Sequence, residues 1–87
     1  MIKKQYKILE ADDELSMREF LDVLLSKEGY RVFPANSGKH AVKLIQNNAY
    51  DLVLIDIRPG DITGLDILKE AKKQDPDTVV LMISTIP

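Results

Sequence analysis

Three aspartates follow short apolar segments of this sequence. Asp12 and Asp13 come after Tyr6–Ala11, and Asp56 comes after Leu52–Ile55. Carboxylates that lie close together repel each other, and a divalent cation relieves that repulsion. Oxygen-only ligands favour Mg²⁺, which usually takes one or two carboxylates, water and a phosphate oxygen. If the two segments are neighbouring strands, the three aspartates form a candidate site for Mg²⁺, and Mn²⁺ can substitute.

A plainer interpretation applies to each of these residues alone. An acidic pair before a helix is often only a cap with favourable dipole contacts, and Asp13 is a plausible N-cap of the next helix. Asp56 precedes a loop, so capping explains it poorly. Ser84 ends the last apolar segment, where a lone hydroxyl is ordinary. The functional hypothesis therefore depends on the combination.

Apolar periodicity predicts the elements that position these residues. Short apolar segments alternate with segments whose apolar residues recur at spacings of three and four, as in helices. The predicted strands and helices are Tyr6–Ala11, Leu15–Glu28, Tyr30–Ala35, a helix capped by Ser37 and ending near Asn47, Leu52–Ile55, Leu65–Gln74 and Val79–Ile83. The helical residues expected to face inward include Ala41, Leu44, Ile45, Leu65, Leu68 and Ala71. The order β-α-β-α-β-α-β predicts an α/β fold with a parallel sheet, which binds ligands beyond the carboxyl ends of its strands.

Composition excludes several classes of function. The 87 residues fit one domain, residues 1–87, and 12 basic against 14 acidic residues do not indicate nucleic-acid binding. The absence of cysteine and the single His40 exclude disulfides, thiolate metal sites and histidine-rich metal sites. No nucleotide-binding glycine motif and no membrane-length apolar run occurs. These absences lead us to expect a cytoplasmic protein.

Four segments together resemble a known family. Ile8–Glu14, Tyr50–Arg58, Gly64–Leu68 and Leu81–Ser84 are similar, in residues and spacing, to the receiver domains of two-component response regulators. Ser16–Leu21 and Arg58 are more weakly similar to receivers of the nitrogen-regulatory type. The resemblance implies a flavodoxin-like fold of the chemotaxis-Y type with strand order 2-1-3-4, and a role in phosphorelay signalling and transcription regulation.

The resemblance also implies a role for each site residue. Asp56 would accept a phosphoryl group from a sensor histidine kinase. Asp12 and Asp13 would hold Mg²⁺ directly or through water, together with Asp56 and the backbone carbonyl of Arg58. Ser84 would form a hydrogen bond to a phosphoryl oxygen and transmit the switch. Such a module is a signalling domain and not an enzyme, apart from its own phosphorylation and dephosphorylation.

The sequence departs from the family pattern at several places. Glu10 stands where the family usually has an aliphatic residue, the proline of the loop from Arg58 to Gly64 is displaced by one position, and Thr85 replaces a smaller residue. The chain ends at Pro87, before the fifth strand, the lysine that precedes it and the last two helices. We therefore expect a truncated receiver with impaired phosphorylation. We also expect a homo-oligomer formed through the exposed Val79–Ile83 strand or an uncovered sheet face.

Two other functions remain open from the sequence. The chain could be a receiver-like interaction module that does not transfer phosphate. A Mg²⁺-dependent phosphatase is a more distant alternative, because it needs a general acid near Asp56, and Arg58 does not supply one.

Overall fold

Four strands alternate with three helices in the computed structural model, which describes residues 4–56 and 62–83. In chain order they are β1 (Lys7–Asp12), α1 (Leu15–Lys27), β2 (Arg31–Ala35), α2 (Gly38–Asn47), β3 (Leu52–Asp56), α3 (Gly64–Gln74) and β4 (Val79–Met82). The elements predicted from periodicity are confirmed, and their ends differ from the prediction by at most one residue.

The strands form one parallel sheet in the order β2-β1-β3-β4, which confirms the predicted order. β1 and β3 are the two central strands. Their register begins at a reciprocal contact in which Asp51 N donates to the carbonyl of Lys7 at 2.9 Å and Lys7 N donates to Asp51 Oδ2 at 2.9 Å. From there the register runs in step to the last residue of each strand, where Asp12 is the partner of Asp56.

One face of the sheet carries the main core. Strand side chains alternate between faces, so Leu9 and Ala11 of β1 lie on the same side as Val53 and Ile55 of β3. This face packs against α2 and α3, and the buried helical residues of the cluster are Ala41, Ile45, Ile67 and Ala71. Burial of these apolar side chains stabilises the sheet and fixes which face each strand presents.

The prediction that Leu65 faces inward is wrong. Leu65 is 52% exposed, whereas Ile67 is fully buried. The helix begins at Gly64, and its sheet-facing residues are Gly64, Ile67 and Ala71, at spacings of three and four. A Cβ at Gly64 would come within 2.9 Å of the Met82 side chain, which shows how closely this turn approaches β4. Leu65 is one residue, or about 100°, away from that stripe.

The opposite face of the sheet is covered only in part by the described residues. It is packed against α1, in which no residue is fully buried. Leu21 and Leu25 are half-buried, but Phe20 and Val23 are 60% and 69% exposed. Only part of the apolar surface of α1 therefore packs against the sheet. No helix within the described ranges is long and apolar enough to cross a membrane.

Local interactions set the ends of α1 and α2, and one of the two predicted N-caps is correct. Ser37 caps α2 as predicted, accepting a hydrogen bond from His40 N at 3.1 Å. Gly29 follows the C-cap residue of α1 and has a φ of 95°, a conformation that favours glycine. The prediction that Asp13 caps α1 is wrong, because the N-cap is Glu14, whose side chain makes no capping bond.

Candidate functional site

The candidate site lies at the carboxyl ends of the two central strands. Asp12 is the last residue of β1 and Asp56 is the last residue of β3, and the two are paired in the parallel register. Parallel neighbours end at the same edge of a sheet, so their final side chains on one face are adjacent. In an open parallel sheet this edge is where ligands bind.

Asp12 is buried, with 1% of its surface exposed, and its two carboxylate oxygens have different surroundings. Oδ1 accepts a hydrogen bond from Glu14 N at 2.8 Å, which turns the chain from β1 into α1. Oδ2 is buried and accepts no hydrogen bond from any described residue. Buried carboxylate oxygens normally have a donor or a cation, so Oδ2 is suited to a positively charged ligand.

Glu10 is fully buried beside Asp12 on the same face of β1. Neither of its carboxylate oxygens accepts a hydrogen bond from the described part of the chain. Burial is the main reason that its pKa is raised, to about 7, and the negative charge of Asp12 raises it further. The positive charge of Arg18 opposes this change, whereas Asp56 adds to it. The carboxyl groups of Glu10, Asp12 and Asp56 therefore lie close enough for the charges of the two aspartates to act on Glu10.

Arg18 links α1 to the end of β1, where Glu10 and Asp12 lie. Its Nη1 donates a hydrogen bond to the backbone carbonyl of Asp12 at 2.8 Å, from one turn inside the helix. The guanidinium therefore holds the end of β1 in place and puts a positive charge near Glu10. Among the described residues, it is the basic group that acts on the Glu10 carboxyl.

The remaining predicted site residues are placed less fully. Asp13 is exposed and directly follows β1. Arg58 and Ser84 lie outside the described residues. Within residues 4–56 and 62–83, no three His, Cys, Asp or Glu side chains are arranged to hold a metal ion. The described geometry therefore brings Asp12 next to Asp56 but does not form a complete ligand set.

Sequence reasoning missed two residues of this corner. From the sequence, Glu10 is only a departure from a family pattern, and Arg18 is only part of a segment that resembles the family. A charged residue inside an apolar strand, followed eight residues later by an arginine on the first turns of a helix, is the signal that links them. That signal is weak without the strand-to-helix geometry.

Comparison with known proteins gives a consistent result. The family model described as response regulator receiver domain matches residues 8–86. The chain is 39% identical over 84 residues to the transcriptional regulatory protein ZraR of Klebsiella oxytoca, covering 97% of this chain and 19% of that protein. It is 35% identical to sporulation initiation phosphotransferase F of Bacillus subtilis, covering 90% of this chain and 63% of that protein. The chain thus spans about a fifth of the length of the first of these relatives.

Solved structures resemble the fold closely. A response regulator receiver protein from Sinorhizobium medicae matches with a TM-score of 0.89 at 28% identity, over 97% of this chain and 69% of that one. The response regulator TrrA from Thermotoga maritima, solved in complex with Mg²⁺-BeF, matches with a TM-score of 0.77 at 36% identity. That match covers 90% of this chain and 66% of that one. With its strand order and its family match, the chain belongs to the response regulator receiver domain family.

Proposed function

We propose that this chain is a phosphoacceptor module in which Asp56 accepts a phosphoryl group from a phosphohistidine of a sensor histidine kinase. Receiver domains are signalling domains and not classical enzymes. The proposal assigns Asp12, Asp13 and Asp56, with the backbone carbonyl of Arg58, to a Mg²⁺ ion. It assigns Ser84 to a hydrogen bond with a phosphoryl oxygen.

The pairing of Asp12 with Asp56 is the observation that carries this proposal. Two carboxylates at the ends of adjacent central strands lie at the edge where such sheets bind ligands. Asp56 is half-buried at the end of β3, so its side chain is partly accessible and the strand fixes the position of its backbone. Family membership supports the same assignment.

The transfer is a displacement at phosphorus. A carboxylate oxygen of Asp56 forms the new O–P bond as the N–P bond to the histidine of the donor breaks. The histidine nitrogen leaves with the electron pair of that bond and is protonated by solvent. The product is an acyl phosphate on Asp56, and the strand holds the nucleophile in position for an in-line approach.

The surroundings of Asp12 Oδ2 fit a divalent cation. Oδ2 of Asp12 is buried without a donor from the described residues, and it belongs to a carboxylate, the ligand type that Mg²⁺ prefers. When bound, the ion would neutralise charge that develops on the phosphoryl group. The Mg²⁺ in the Thermotoga maritima structure supports the choice of this ion.

Phosphorylation by a small donor tests the proposal. The chain is incubated with acetyl phosphate and Mg²⁺, and intact mass spectrometry measures the addition of one phosphoryl group. We expect modification of the wild-type chain, none of Asp56→Asn, and much less of Asp13→Asn. Equal modification of Asp56→Asn would place the acceptor elsewhere. No modification of the wild type would favour the alternative of an interaction module without phosphotransfer.

We also propose that the chain forms a homo-oligomer, supported by the exposed apolar residues of β4. Val79, Leu81 and Met82 are 60%, 53% and 49% exposed, and β4 is the last strand of the described sheet. Exposed edge strands recruit other strands. Light scattering at micromolar concentration should give a mass above that of one chain, and a monodisperse monomer would refute this.

A cytoplasmic location is proposed from family membership, and fractionation of native cells tests it.

A further inference from the structure

Glu10 lies in a position that ordinarily suits an apolar side chain. Its two neighbours in the sheet register are Pro34 of β2 and Leu54 of β3. Ile8 and Leu54 on this face are both buried, with 3% and 7% of their surfaces exposed. A carboxylate buried among such groups loses the solvation of its charge, and it remains there only if another group compensates.

The described residues compensate that charge only in part. The Glu10 oxygens accept no hydrogen bond from the residues that the structure describes, and neither does Oδ2 of Asp12. The Glu10 and Asp12 side chains lie within hydrogen-bond contact of each other, and two carboxyl groups make such a contact only by sharing a proton or a cation. Arg18 lies near Glu10, but its described hydrogen bond goes to the backbone carbonyl of Asp12 and not to either carboxylate.

Three buried carboxylate oxygens of Glu10 and Asp12 have no donor among the described residues, and Asp12 is paired with Asp56 in the sheet register, so this arrangement attracts positive charge. We propose that Glu10 is an additional anionic residue of the divalent-cation site, where its charge strengthens binding of Mg²⁺ or Mn²⁺ at Asp12 and Asp56. This inference rests on the proposed function for the site, and it adds a residue to it.

Glu10 acts mainly through charge and through the placement of Asp12. It lies two residues before Asp12 on the same face of β1, it is fully buried there, and Asp12 is the register partner of Asp56. A divalent ion near that pair is attracted by the third carboxylate as well. Groups that surround metal ligands typically change metal affinity by 10- to 100-fold when they are mutated.

Direct titration with Mn²⁺ tests this inference. Free Mn²⁺ is measured by electron paramagnetic resonance at pH 8 for the full chain and four variants. The neutral variants E10Q and E10L should bind Mn²⁺ roughly tenfold more weakly than the wild type. E10D, which keeps the charge, should stay closer to the wild type. The matched control E19Q removes a carboxylate from an exposed position of α1 and should leave affinity unchanged.

Two further measurements make the result decisive. Far-ultraviolet circular dichroism shows that each variant is folded, and E10L provides a neutral variant that packs against Leu54 if E10Q does not fold. Asp13→Asn reports on the proposed site itself. If Asp13→Asn weakens binding but both neutral variants bind as the wild type does, the role of Glu10 is refuted and the proposed function stands. If the wild type binds no Mn²⁺, the cation site is refuted, and the role of Glu10 with it.

Discussion

Replacing Glu10 by leucine should make the metal-free chain more stable at pH 8 and change how its stability depends on pH. The pKa of Glu10 rises from 4.5 in the unfolded chain to about 7 in the folded one, chiefly because of burial. Between these values the folded chain holds a proton that the unfolded chain releases. The stability associated with the protonated carboxyl is therefore full below pH 4.5 and is lost as pH rises through 7.

The size of this effect follows from the same pKa values. Each pKa unit corresponds to about 1.4 kcal/mol, so a rise from 4.5 to about 7 is worth about 3 kcal/mol. A domain of this length has a total stability of roughly 4–13 kcal/mol, so the loss is a large fraction of it. The groups that act on the Glu10 carboxyl are Asp12 of β1, Asp56 of β3 and Arg18 of α1.

Urea denaturation in the presence of EDTA measures this dependence. The free energy of unfolding is determined for the wild type and Glu10→Leu at several values between pH 5 and pH 8. The difference between the two proteins cancels the titrating groups that do not interact with Glu10. Asp51, Asp66 and Glu70 have lowered pKa values, so their contributions are lost only at more acidic pH. A difference that stays constant across this range would refute the argument that Glu10 is buried with a raised pKa.

Three other changes test the fold. Thr63→Ala removes the side chain that accepts a hydrogen bond from Asp66 N at 3.2 Å, and it should cost about 1 kcal/mol in urea denaturation. Ile67→Ala opens a cavity in the core between α3 and the sheet and should cost about 2–5 kcal/mol in the same assay, with an unchanged value indicating that α3 does not pack as described. Gly29→Ala forces a side chain into a φ of 95° and should lower the thermal midpoint, whereas Gly29→Asn should lower it less.

The sequence predicted the fold because the core uses patterns that are local in the chain. The apolar run Leu52–Ile55 and the α2 spacing of Ala41 and Ile45 indicate their elements without reference to anything distant. Leu65 was predicted wrongly because both Leu65 and Ile67 fit a helical stripe, and only the close approach of Gly64 to β4 selects between them. The prediction that Asp13 caps α1 was wrong because the carboxylate of Asp12, and not that of Asp13, accepts the hydrogen bond from Glu14 N at the start of the helix.

The site was harder to predict because its chemistry depends on residues that are distant in sequence. Asp12 and Asp56 are 44 positions apart, and only the register of β1 with β3 pairs them. The sequence places an acid at position 10 but cannot show that it is fully buried. It also cannot show that an arginine of α1 reaches the carbonyl of Asp12. These are tertiary facts, and no periodicity encodes them.

The two faces of the sheet therefore contribute differently to stability and function. The face that packs against α2 and α3 is apolar, and its fully buried Leu9 belongs to the same core cluster as Ile67 of α3. The face toward α1 carries Glu10, Asp12 and Asp56, whose like charges oppose folding when no cation is bound. A ligand that binds only the folded chain stabilises it by a free energy that rises with the logarithm of the ratio of ligand concentration to dissociation constant. A cation bound near Glu10, Asp12 and Asp56 should thus stabilise the folded domain, because it neutralises negative charges that the neighbouring side chains balance only in part.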